Sequence, residues 1–113
     1  EGDVFGHLLT GWCPLTASLF LVKRASLQEI GGFDGRLPYA EDRDLWLRLA
    51  EAHNYFAVVG EILVIKHEDT GPQLTTDPFL RLGGMRLLDR KWGPVVKHHL
   101  GSAGYRRWRA GQD

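Results

Sequence analysis

Residues 41–51 read Glu-Asp-Arg-Asp-Leu-Trp-Leu-Arg-Leu-Ala-Glu, and the reading of their neighbours on both sides depends on them. Leu45, Trp46 and Leu49, continued by Ala52, recur at the spacing of one helical face. Glu41, Asp42 and Asp44 crowd the first turn, where unbonded backbone N–H groups favour negative charge. A helix is therefore expected over 42–53, closed at Asn54. Toward the N-terminus, Gly31-Gly32 supplies a left-handed stop and Ser26 with Glu29 spells a capping box, which gives a single helical turn at about 26–30. Phe33-Asp34-Gly35 and Leu37-Pro38 leave room only for turns. Farther back, the run Ala17–Val22 is apolar and partly β-favouring, closes at Lys23-Arg24, and suits a short buried strand over 17–23.

Toward the C-terminus, Tyr55–Val59 and Ile62–Ile65 flank Gly60-Glu61 and read as strands over 55–60 and 62–67. A polar loop follows over 68–76. Asp77-Pro78 opens a helix, because Asp caps free amides and Pro tolerates the first helical position. Phe79, Leu82, Met85, Leu88 and Trp92 share one face of that helix, and Gly93-Pro94 is expected to end it near residue 92. The stretch after it holds at most a short basic helix. The expected fold class is α/β: a small mixed sheet of 17–23, 55–60 and 62–67, with the helices 42–53 and 77–92 packed on it.

The 113 residues carry 14 basic and 14 acidic side chains, are 43% hydrophobic, and contain one cysteine. That composition fits a single domain and argues against disorder, and Cys13 alone excludes an internal disulfide framework. No apolar run approaches the roughly 18 residues of a membrane span. The domain divides into a loop or edge segment (1–16), a core (17–76), and a C-terminal helix with a basic tail (77–113). The neutral balance hides an asymmetry, since residues 1–80 hold 6 basic against 12 acidic side chains and residues 81–113 hold 8 against 2. Such a tail suits contact with its own acidic body or with anionic headgroups. A nucleic-acid interface is not expected, because Lys97, Arg106, Arg107 and Arg109 are scattered among glycines.

The acidic pair Glu41-Asp42 is the leading candidate for chemistry. A carboxylate near free backbone amides keeps its charge and can accept a proton from a bound hydroxyl, with positioning supplying much of the effect. The same residues also serve as ordinary helix-start charges, and composition alone favours that role.

The run Phe20-Leu-Val-Lys-Arg-Ala-Ser-Leu-Gln-Glu-Ile-Gly-Gly-Phe-Asp34, followed by Glu41-Asp-Arg-Asp-Leu-Trp-Leu-Arg-Leu49, resembles the second half of a family 2 glycosyltransferase. The resemblance covers residues 15–70 and extends loosely beyond. It implies the C-terminal, acceptor-side half of a GT-A (nucleotide-diphospho-sugar transferase) fold. It also implies transfer of a sugar from a nucleotide-diphospho-sugar to a hydroxyl of a saccharide or lipid-linked acceptor, with inversion. In that frame Asp42 is the base, Glu41 orients the acceptor or the base, Trp46 and Arg43 contact the acceptor, and Asp44 and Arg48 hold the helix in place. His67 is implied near the diphosphate and its divalent metal, Mn2+ or Mg2+, as a contact to either, with imidazole a sound metal ligand.

The departures are equally definite. No nucleotide-binding βαβ units are present, and Asp42-Arg43-Asp44 spells Asp-x-Asp only within the Glu-Asp motif. The chain is thus expected to be a fragment, inactive alone, of a cytoplasmic or membrane-peripheral enzyme of polysaccharide synthesis. Tyr105-Arg-Arg-Trp108 is similar to a Gln-x-x-Arg-Trp motif of processive synthases, with Gly104 in the place of the glutamine. A catalytically inactive scaffold of the same kind is the first alternative, and a module binding nucleic acid through the basic tail is a remoter one. A sheet deprived of neighbours is expected to self-associate as a homo-oligomer.

Overall fold

The computed structural model describes residues 1–10, 17–67, 71 and 76–111. Its helices are α1 (Phe5–Leu9), α2 (Arg24–Glu29), α3 (Glu41–Glu51) and α4 (Pro78–Ala110), with a 3-10 turn at Ala17–Leu19. The described residues are 60% helical and contain no strand, which overturns the expected α/β class and its mixed sheet. The chain is a small helical domain. Most of the expected 68–76 loop and the end of the 1–16 segment, with Cys13, lie outside the described residues.

The physical reason is that a strand needs a ladder beside it, and among the described residues none of the three expected strands has more than a single bridge. Residues 17–19 wind into the 3-10 turn. Phe20 and Val22 lie half-buried against the core while Leu21 between them is 101% exposed, an edge-strand alternation with no ladder beside it. Residues 57–67 cross the surface as neither helix nor ladder. The one β contact among the described residues is the antiparallel bridge of Gly2 with Phe56, its two N–H···O bonds 2.8 and 3.1 Å long.

α3 forms as its periodicity requires, and it ends one turn before Asn54. His53 takes a left-handed conformation (φ 60°), and Asn54 donates both its backbone N–H and its side-chain amide to the Leu49 carbonyl. The buried face of α3, including Leu45, Leu49 and Ala50, meets Leu8 and Leu9 of α1 and Leu88, Trp92 and Val96 of α4. α1 packs on both longer helices.

The Asp77-Pro78 signal holds: the Asp77 carboxylate accepts the Phe79 and Leu80 N–H groups at 2.9 and 3.2 Å. The expected stop at Gly93-Pro94 does not, because α4 runs through it and breaks only at Gly101 (φ 68°). Beyond the break, residues 102–110 fold back along the helix. Tyr105 donates to Asp89 at 2.9 Å, and that carboxylate pushes the phenol pKa up, while Trp108 is buried in the core. A Cβ at Gly93 would stand only 3.0 Å from Asp89 and 3.1 Å from the Tyr105 ring. The glycine therefore makes room for the returning segment. Phe79 and Leu82, expected on the core face, remain exposed.

Gly84 has a similar role where α4 crosses the turn before α3. A Cβ there would come within 2.6 Å of Tyr39, whereas Gly83 faces open space. Gly84→Ala should cost about 1–3 kcal/mol through overpacking, and Gly83→Ala should stabilise by up to about 1 kcal/mol through helix propensity. Urea denaturation of the two variants beside the parent chain measures both.

Candidate functional site

Two local structures meet at the site. Gly31 and Gly32 both adopt left-handed angles (φ 81° and 71°), which only glycine accepts freely, and they reverse the chain after α2 so that Asp34 points toward α4. Asp34 receives the Arg36 guanidinium in a two-point contact, 2.9 Å to Nε and 2.7 Å to Nη2, as well as the Arg36 N–H. Lys91 of α4 lies 2.9 Å from the same carboxylate.

Lys91 also reaches across to Asp44 of α3, at 2.8 Å. Asp44 is fully buried, and its two oxygens accept the Trp92 indole N–H and the Arg48 Nε–H, each at 2.8 Å. Arg48 in turn donates to the Ile30 carbonyl at the end of α2. Three cations and two carboxylates thus tie α2, the glycine turn, α3 and α4 together. An open depression of ≈ 360 Å³ lies above them, lined by Gly31, Gly32, Asp34, Arg36, Arg48 and Lys91 among others.

The carboxylates expected to do chemistry lie outside that depression. Glu41 is exposed and Asp42 half-buried, both in the first turn of α3. Asp42 Oδ1 accepts the Arg43 N–H at 2.7 Å, and Ala40, in a left-handed conformation, provides no side-chain cap. Arg43, expected to contact an acceptor, lays its guanidinium 5.4 Å from the centre of the Trp108 ring. Trp46, expected to stack on a sugar, is 2% exposed and stacks instead on Phe20, with ring centres 4.0 Å apart. It therefore sits in the core. His67 is exposed at the end of the 57–67 segment.

Among the described residues, no group of three or more His, Cys, Asp or Glu side chains comes together. Asp44 and Arg48 hold the helix as expected. Lys91 is the residue that sequence reasoning missed. Its partner Asp34 is 57 positions away, so no local spacing marks the pair. Among the described residues, no helix is long and apolar enough to cross a membrane.

No family model, curated protein or solved structure matches the chain.

Two outcomes follow from the ion network. Removing one member of a buried pair leaves the others unpaired, so Asp44→Ala should cost about 3–5 kcal/mol, read by chemical denaturation. Arg36, then Lys91, hold the Asp34 carboxyl well below the usual carboxylate range. The folded chain accordingly binds fewer protons than the unfolded one. This stabilisation is complete above the unfolded aspartate pKa of about 3.9 and drains away as the pH falls below it. Asp34→Asn should flatten that acid limb in thermal melts between pH 5 and pH 2, taken as the working range for this carboxylate.

Proposed function

We propose that this chain is the acceptor-side portion of an inverting glycosyltransferase, with Asp42 as the general base. The observation that carries the reading is the Asp34–Lys91–Asp44 bridge. It binds the Gly-Gly-Phe-Asp turn and the Glu-Asp helix, the two stretches on which the resemblance rests, into one rigid unit.

In this reading the acceptor hydroxyl approaches the first turn of α3 from solvent. Asp42 takes its proton as the oxygen attacks the anomeric carbon, and the nucleotide diphosphate departs from the opposite side. The bond to the diphosphate oxygen breaks as the new glycosidic bond forms, which inverts the centre. Glu41, beside Asp42 and exposed, orients the acceptor. The buried Asp44 fixes the helix, so that Asp42 is presented without reorganisation. Trp46 and Arg43 have no part in acceptor contact here, because the first is enclosed and the second is engaged with Trp108. The transfer uses a divalent ion in this reading.

The test is nucleotide-sugar turnover by the full polypeptide with manganese, beside Asp42→Asn. Turnover should fall about 10²- to 10⁴-fold with donor binding retained, the span expected for loss of a general base. Equal turnover in both proteins removes Asp42 from the mechanism. No turnover across a broad donor panel favours a catalytically inactive scaffold.

A further inference from the structure

We infer that residues 60–67 form the interface of a two-fold dimer, in which the segment pairs antiparallel with the same segment of a second copy. Ile62, Leu63, Val64 and Ile65 are four consecutive apolar residues, exposed from 42% to 94%. Neighbouring residues of an extended chain point to opposite faces, so edge-to-edge pairing would set apolar cross-strand neighbours together on both faces. Among the described residues, 59–67 make no backbone–backbone hydrogen bond, so the edges of the segment are unpaired. Tyr55, Val58 and Val59, just before it in the chain, are exposed as well.

Symmetry and charge select the occupant and the register. In a two-fold antiparallel pair, opposed residues share a face, so the axis must pass beside a residue that meets its own copy. With the axis at Val64, Leu63 meets Ile65 and the Lys66 stem covers Ile62. At each end Glu61 meets His67 of the partner subunit. An acid and a base thus close both ends of an apolar centre. Sliding the axis to Leu63 sets Glu61 against Ile65 and Lys66 against Gly60. Sliding it to Ile65 sets Val64 against Lys66 and Leu63 against His67. Only the Val64 register keeps apolar against apolar at the centre and opposite charge capacity at both ends. The sequence of this segment is therefore complementary to itself.

Sedimentation velocity across a concentration series tests this, with far-UV circular dichroism confirming that each variant keeps the parent's helical content. The parent should dimerise. Glu61→Lys should weaken dimerisation roughly tenfold, since each of two symmetric Glu61–His67 contacts loses its acid. Adding His67→Glu to it restores opposite charge and should restore the dimer. Val64→Lys, which opposes two ammonium groups on the axis, should give a monomer. A parent that stays monomeric at every concentration overturns the inference, as does a dimer indifferent to Val64→Lys or a double variant that fails to recover.

Discussion

The carboxylate of Asp44 is the constraint on which the rest of this structure depends. Taking a carboxylate wholly out of water costs several kcal/mol, and the cost is met only when fixed donors surround it. Here an indole N–H, a guanidinium and an ammonium do so, each at 2.8 Å. Because Trp92 and Lys91 adjoin on α4 and Arg48 lies one turn along α3, satisfying Asp44 fixes how the two helices cross. Lys91 then extends to Asp34, and Arg48 to the end of α2, so the turn between the helices has little freedom left.

α3 was legible in the sequence because its cause is local: acidic residues at one end, apolar residues at helical spacing, and Asn54 beyond the other. The full length of α4 was not, because its cause is tertiary. Gly93-Pro94 has the local chemistry of a helix stop. Gly93 is there because Tyr105 packs against it, and Tyr105 arrives only after the chain has broken at Gly101 and returned. Gly84 likewise answers to Tyr39, a contact that no window around residue 84 contains. Glycine reports that something needs space or an unusual angle. Which of the two applies is decided by residues distant in sequence.

The strand readings failed for a related reason. β-branched and apolar residues in short runs report a backbone suited to a covered sheet, and they say nothing of which strand lies alongside. Residues 20–22 keep the alternation of an edge strand, with Phe20 stacked on Trp46 and Leu21 in solvent. Residues 62–65 keep an apolar sequence on both faces while standing uncovered. Pattern and pairing are separate conditions, and among the described residues only the first is met.

The same distinction decides which carboxylate of the Glu-Asp motif can meet a ligand. Asp42 and Asp44 are two positions apart, and on an α-helix two positions turn the side chain by about 200°, to nearly the opposite side. Once Asp44 is committed to Trp92, Arg48 and Lys91, Asp42 must face outward. The sequence offers Asp-x-Asp with no means of choosing between its members, whereas the buried network chooses by consuming one of them. Trp46 is settled likewise: it lies on the covered side of α3, where Phe20 already occupies its face. A carboxylate presented this way owes its direction to a helix anchored from behind. Of the three acids in the first turn of α3, Glu41 and Asp42 remain at the surface, and Asp44 behind them anchors the helix.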